Sequence, residues 1–282
     1  MIDNSQVCGF CKSKKLNVFM KFNGFNLMKC KGCAIVTTQH GNHIDTTNKK
    51  FDSEYLDKLL SNSAASDIFF KKNSAVIKEY LQHGKLLDVG FGAGHFLAEM
   101  AGAGYDVYGV EISESACEYV KQKYGIGNVV CGSFLNLELD KKVDMVTFWD
   151  SLQYVESPMA YLVKANACLE DDGLVVVQVP NRGRLNMAYA RFLYRISSEL
   201  ARVFLHIPAA VTLFNEHSLE KVLGTAGFKL LEVVNNPTVK KFRWSGNLSL
   251  KSIVVNVIEN VYIAIARFKK EKESLIAIAK KV

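Results

Sequence analysis

From Leu86 onward, short apolar runs alternate with segments whose apolar positions recur every three or four residues. The runs Leu86–Val89, Asp106–Glu111, Asn128–Cys131, Val143–Trp149 and Gly173–Val179 predict buried strands. The periodic segments His95–Gly102, Ser115–Tyr124 and Pro158–Leu169 predict the helices between them. Strands and helices in alternation imply a parallel sheet covered on both faces. Ser113 suits a helix cap, and Asp171, Asp172 and Gly173 suit a turn before the fifth strand. Upstream, Phe51–Leu60 and Ile68–Leu81 carry helical spacing after a polar linker between His40 and Asn48. Downstream, residues 182–227 form an insertion rich in aromatic and basic residues, including Tyr189, Phe192, Tyr194, Phe204, His206 and Phe214, suited to cover a substrate. Sheet returns at Phe228–Asn235. The helical stretch Leu248–Phe268 has a narrow polar face of Ser252, Asn256, Glu259 and Asn260, so most of its surface needs a cover. A homodimer contact or the insertion is the preferred cover, ahead of peripheral insertion into a membrane surface.

The first 40 residues obey a different rule. Cys8-Gly-Phe-Cys11 and Cys30-Lys-Gly-Cys33 are two CxxC pairs with 18 residues between them. Each pair aims two thiolates at one ion, and the strand-like segments Asn17–Phe22 and Phe25–Lys29 bring the pairs together as a hairpin. Four thiolates fill a tetrahedral shell and leave no position for water or substrate, so the zinc expected here is structural. As a module, the ribbon serves either as a scaffold or as a nucleic-acid grip. The second role draws on Lys12, Lys14, Lys15, Lys29 and Lys31 interleaved with Phe19, Phe22 and Phe25. The same phenylalanines are what a small ribbon needs to bury. Cys117, Cys131 and Cys168 stand singly in apolar periodic segments and read as inert thiols.

The candidate chemistry sits at Leu86-Leu-Asp-Val-Gly-Phe-Gly-Ala-Gly94, followed by Val107-Tyr-Gly-Val-Glu-Ile112. Gly90, Gly92 and Gly94 mark a turn where backbone approaches a ligand, and the helix start after it attracts anions. The dinucleotide fingerprint does not fit, because its third glycine would fall at position 95, which is His. The pattern Asp88-x-Gly90-x-Gly92-x-Gly94 resembles the first motif of class I S-adenosylmethionine-dependent methyltransferases. The resemblance covers roughly residues 83–282, and within that class the chain looks most like the bacterial members with an amino-terminal pair of CxxC motifs. It implies a Rossmann-like α/β fold, a seven-stranded mostly parallel sheet with helices on both faces, closed by an antiparallel strand at Ser274–Lys280. With the cysteine pairs and the helical segments before Leu86, the chain is expected to divide into a zinc ribbon (1–40), a helical linker or lid (41–82) and a methyltransferase domain (83–282) with an acceptor-side insertion (182–227) and an additional helix (246–271).

The resemblance assigns S-adenosylmethionine to Asp88, Gly90, Phe91, Gly92, Gly94, Glu111, Ile112, Ser133, Phe134, Trp149 and Gln153. Glu111 would accept both ribose hydroxyls, a task suited to a carboxylate. Two departures matter. Relatives carry an acid after the third strand, where Cys131-Gly-Ser-Phe134 offers Ser133 toward the adenine, with Phe134 to stack on it. Relatives carry Glu-His after the fourth strand, where this chain has Gln153-Tyr154. Tyr154, His217, Asp150 and Tyr55 are therefore the candidates for acceptor base or positioning group. Methyl transfer demands in-line alignment and exclusion of water more than charge at sulfur.

Composition narrows the partners. The chain has 282 residues, 49% hydrophobic, with a net charge of +7. Residues 1–50 carry +6 and residues 267–282 carry +4, leaving about −3 between them. A basic appendage on a mildly acidic body suits an anionic partner, and a solvated lysine face explains it equally well. A polar start, no apolar run of membrane-spanning length and unpaired cysteines place the expected compartment in the cytoplasm. Three readings follow, in order: methyl transfer to a small-molecule acceptor (a sugar, lipid, quinone-like molecule or natural-product intermediate), an RNA methyltransferase gripping its substrate with the basic ribbon, and a cofactor-binding regulatory module without turnover.

Overall fold

The computed structural model describes residues 7–40, 53–237, 250–270 and 272–282. The polar linker beyond His40 and the start of the additional helix at 246–249 lie outside the described residues, as do the side chains of Ser252 and Asn256.

Seven strands form the main sheet. They are β4 (Lys85–Val89), β5 (Asp106–Glu111), β6 (Val129–Cys131), β7 (Val143–Trp149), β8 (Leu169–Pro180), β10 (Phe228–Pro237) and β11 (Lys272–Lys281), in the order β10-β11-β8-β7-β4-β5-β6. β4 to β8 pair in parallel, and β11 lies antiparallel to both β8 and β10. Burial on both faces explains why the central strands read as continuous apolar runs. Helices α3 (His95–Gly102), α4 (Glu114–Tyr124), α5 (Pro158–Cys168) and α8 (Glu216–Thr225) connect and cover the strands. Ser113 caps α4 by accepting the Ala116 N–H. The turn expected at Asp171–Gly173 is instead a distortion within β8, which starts at Leu169 and passes through Asp172 at φ +67°. Phe134 and Phe148 are fully buried in the core, each worth about 1.5–3 kcal/mol of transfer free energy.

A second sheet joins the amino-terminal ribbon to the insertion. β1 (Leu16–Phe22) and β2 (Phe25–Cys30) form the expected hairpin, and β3 (Val36–His40) extends it. A two-residue strand in the insertion, β9 (Thr212–Leu213), pairs antiparallel with β3. The rest of the insertion is two helices, α6 (Arg184–Ile196) and α7 (Ser198–Leu205), which pack against the hairpin: Phe22 stacks on Phe25 and meets Tyr194 edge-on. Arg191 of α6 lies 4.4 Å from the centre of the Phe19 ring. Phe25 is buried in these contacts, and Phe19 and Phe22 are half-buried.

The additional helix, α9 (Leu250–Phe268), docks on the insertion. Tyr262 stacks on Tyr189 at 4.1 Å, meets Phe204 edge-on and hydrogen-bonds Asn186. Within the chain, the insertion is thus the cover for one face of α9. Its opposite side presents Val257, Val261, Ile265 and Phe268 to solvent. Among the described residues no helix is long and apolar enough to cross a membrane.

Candidate functional site

The carboxyl ends of β4, β5, β7 and β8 share one edge of the sheet, where open α/β folds bind ligands. β4 ends in the glycine turn. Gly92 and Gly94 adopt φ +55° and +74°, a region that carries a penalty for other residues. A Cβ on Gly94 would approach Val120 to 2.4 Å, so this glycine also lets α4 pack. A Cβ on Gly92 would stand 3.0 Å from Leu59 and 4.0 Å from the Tyr55 hydroxyl, both on α1 (Ser53–Leu60). The first helix of the linker therefore lies directly over the turn, followed by α2 (Ser63–Tyr80).

Glu111, at the end of β5, is buried and accepts three backbone N–H groups: Gly92 at 2.9 Å, Ile112 at 2.8 Å and Ser113 at 3.2 Å. Burial raises its carboxyl and these three donors lower it, with a net rise. Asp88 accepts the Thr147 hydroxyl at 2.7 Å across to β7. Burial pushes its carboxyl up to about 7, against the Thr147 hydrogen bond and with help from Glu111. Phe91 packs over Gly109 of β5, and Ile112 is exposed beside Glu111.

After β7, Asp150 stands at φ +53° and Gln153 clamps it, donating to its carbonyl at 2.9 Å and to its carboxylate at 2.6 Å. The Asp150 surface opens to solvent, yet protein atoms crowd it from most directions, as in a recess. That enclosure pushes its carboxyl up to about 6, while Gln153 and the nearby Arg182 charge pull it down. Tyr154 and Tyr55 are both raised above the ordinary phenol range, first by burial and then by acidic neighbours, Asp150 for each and Glu111 as well for Tyr55. Both phenols stay protonated at neutral pH and act as donors. Glu111, Tyr55, Asp150, Tyr154 and Arg182 thus form a row within electrostatic reach of one another along the sheet edge.

Among the remaining expected residues, Phe134 departs from its expected place. Phe134 is only 2% exposed, packed on Phe148 and Tyr161, and presents no face to an adenine. Ser133 uses its hydroxyl to accept the Leu135 N–H. Trp149 packs against Phe69, Phe70 and Phe96 on the α2 and α3 side, with its indole N–H unpartnered among the described residues. His217 is exposed in the first turn of α8, outside the row of groups at the sheet edge. Leu59 lies across from Gly92, a placement that no sequence motif signals. Arg182 also went unseen, because a lone arginine after a strand carries no periodic or motif signature.

At the ribbon, the Cys8 and Cys33 sulfurs lie 3.6 Å apart, as do those of Cys11 and Cys30, and all four fall within 4.8 Å of one another. Tetrahedral Zn–S bonds of about 2.3 Å place sulfurs roughly 3.8 Å apart, so the donor set fits zinc. Lys12 and Ala34, each four residues after the first cysteine of its pair, turn left-handed to close the two knuckles. Burial raises the Cys30 thiol, but N–H groups of Cys33 and Gly32 bring it down to about 7. The cluster is not a free appendage. Phe10 meets Phe214 edge-on, Lys221 reaches the Gly32 carbonyl at 3.0 Å, and Cys8, Cys30 and Cys33 join the core under α8 while Cys11 is exposed.

The strand order, the glycine turn and the buried acid at the end of β5 define a Rossmann-like enzyme of the methyltransferase type. A family model described as a methyltransferase domain matches residues 56–233, and the chain belongs to that family. Among solved structures it is similar to the Synechocystis PCC 6803 magnesium protoporphyrin IX methyltransferase with bound S-adenosylhomocysteine, at 17% identity over 78% of this chain and 84% of that one, TM-score 0.52. It is similar too to the Burkholderia thailandensis 1,6-didemethyltoxoflavin-N1-methyltransferase, at 16% identity over 88% and 96%, TM-score 0.51. A third is a Haloferax volcanii methyltransferase in complex with its Trm112 activator, at 14% identity over 70% and 82%, TM-score 0.53. At these identities the likeness carries the fold alone. A search of curated protein sequences finds no match.

Proposed function

We propose that the chain transfers a methyl group from S-adenosylmethionine to a small-molecule acceptor, with a structural zinc held by Cys8, Cys11, Cys30 and Cys33. The observation that carries this reading is the pairing of the Gly90–Gly94 turn with the buried Glu111 carboxylate at the ends of adjacent parallel strands. The bound cofactor supplies an electrophilic methyl on a sulfonium. The glycine turn admits it closely, Glu111 takes the ribose hydroxyls, and Ile112 lines the adenine side in place of Phe134. Leu59 and Tyr55 on α1 exclude water from above. Asp150, with a carboxyl near 6, is the group best matched to accept an acceptor proton at neutral pH. Tyr154 and Tyr55 orient the acceptor as donors, a role their raised hydroxyls favour.

Phe25 is buried and the half-buried Phe19 and Phe22 are engaged by Arg191 and Tyr194, which favours a small acceptor over RNA, since base stacking needs exposed rings. The test is incubation of the purified protein with methyl-labelled S-adenosylmethionine and a cell lysate separated into RNA, protein, lipid and small-metabolite fractions. Label in the metabolite or lipid fraction is expected. Ribonuclease-sensitive label would overturn the small-molecule reading, and cofactor binding without label anywhere would favour a regulatory module.

A further inference from the structure

Because β8 runs parallel to β7, the residues that follow Pro180 emerge at the same sheet edge as Gly90, Glu111 and Asp150. Their backbone is tightly held. The Arg182 N–H donates to the Phe214 carbonyl at 2.7 Å, the Asn181 side chain accepts the Gly183 N–H at 2.9 Å, and the Asn181 carbonyl accepts from Asn186 at 2.7 Å. From this fixed root the Arg182 side chain stands within electrostatic reach of Tyr262, Tyr154 and Asp150. Its guanidinium carbon lies 5.4 Å from the centre of the Phe204 ring, and its Nε is buried without a hydrogen-bond partner among the described residues. Directly after it begins α6, thirteen residues long, whose N-cap is Gly183 and whose first turn no side chain caps.

Arg182 as a whole is half-buried, but a buried guanidinium N–H such as its Nε is costly unless it is met, and the planar fork of an arginine matches the oxygens of a carboxylate or phosphate. Phe204 covers one region of the group, and the Nε–H lacks a hydrogen-bond partner among the described residues. The uncapped start of α6 adds N–H groups and the positive end of its dipole. Asp150 and Glu273 lie within electrostatic reach and offset part of the charge, but neither meets the buried Nε. Resting on the methyl-transfer reading above, we propose that Arg182 and the first turn of α6 form the anion-binding end of the acceptor pocket. The acceptor is then a small molecule bearing a carboxylate or phosphate beside an apolar body that packs under Phe204.

Calorimetric titration of the full chain, with and without S-adenosylhomocysteine, tests this with benzoate and phenyl phosphate as anionic probes and benzamide as the neutral one. At least one anionic probe is expected to bind the wild type about tenfold or more tightly than benzamide. Arg182→Gln should remove that preference while S-adenosylhomocysteine affinity stays within about twofold, and Arg182→Lys should retain part of it. A merely structural Arg182 would shift stability without changing the preference for charge. Equal binding of charged and neutral probes by the wild type, or an undiminished preference in both variants, overturns the proposal. Should Arg182→Gln fail to fold, the wild-type comparison and Arg182→Lys still decide it. Anion preference in a protein that fails to bind S-adenosylhomocysteine would support the anion site and overturn the cofactor reading instead.

Discussion

Val211 donates its backbone N–H to the Gln153 carbonyl at 2.8 Å, and its own carbonyl accepts the Thr38 N–H at 2.8 Å. One residue of the insertion therefore links the strand that follows the cysteine cluster to the glutamine that clamps Asp150. Through β3 and β9 the ribbon buttresses the Asp150 end of the site, while the glycine turn and Glu111 hang on β4 and β5. Replacing Cys8 and Cys30 together with Ser is expected to abolish bound zinc, lower the melting temperature by several degrees and cut methyl transfer about tenfold or more. S-adenosylhomocysteine affinity should change by less than about twofold. Metal analysis, thermal melts and titration check the three outcomes, and unchanged metal content would remove the four-thiolate assignment.

Gly92 has both a positive φ and α1 across from it. Gly92→Val is expected to weaken cofactor binding about tenfold or more, a change of roughly 1.4 kcal/mol or greater. A titration that returns wild-type affinity would show that the turn does not approach the ligand.

The parallel sheet was legible because its strands, buried on both faces, leave uninterrupted apolar runs such as Val143–Trp149. The cysteine cluster was legible because two CxxC knuckles at that separation leave few other geometries. What could not be read is what long-range pairing decides. β9 is two residues long and takes its identity only from β3, far away in sequence. Phe134 follows Gly132-Ser133 in a way that suits either a ligand wall or the core, and the presence of Phe148 and Tyr161 chose the core. His217 looked apt because of its side-chain chemistry, but the capping geometry of Asn215 and Ser218 turns it to solvent. Asp150 is one of four candidates in the sequence, and its clamp by Gln153 comes from a turn that no motif announces.

A base at Asp150 has a definite pH signature. Its carboxyl is raised to about 6, so the proton-accepting form appears above that pH. The rate should climb as pH rises through about 6 and then level off. Asp150→Asn is expected to lower kcat/KM about a hundredfold or more at neutral pH and to flatten the acidic limb. A variant that keeps the limb would move the base elsewhere.

Asp88 makes the opposite kind of prediction, about stability. Its folded carboxyl titrates near 7 against 3.8 as its ordinary value, so the folded state holds a proton that the unfolded chain has released. The stability it contributes is complete below the unfolded value and is lost as pH rises through about 7. Asp88→Asn keeps an acceptor for Thr147 without a charge. It should raise stability by about 1–2 kcal/mol near pH 8 and have little effect near pH 4, as read from denaturant melts at each pH. A variant less stable than the wild type at pH 8 would assign the Asp88 charge a stabilising partner.

The pairing of β3 with the insertion also dictates an order of events during synthesis. Cys8 and Cys33 are separated by 25 positions, whereas Thr38 and Val211 are separated by 173. The thiols can meet soon after they leave the ribosome, long before the strand that completes their sheet has been made. During that interval a bound ion would keep β1, β2 and β3 in register and shield their unpaired edge from other nascent chains. The metal would then matter most while the protein is half-made, and zinc-starved cells should yield less soluble protein even where zinc added afterwards fails to restore it.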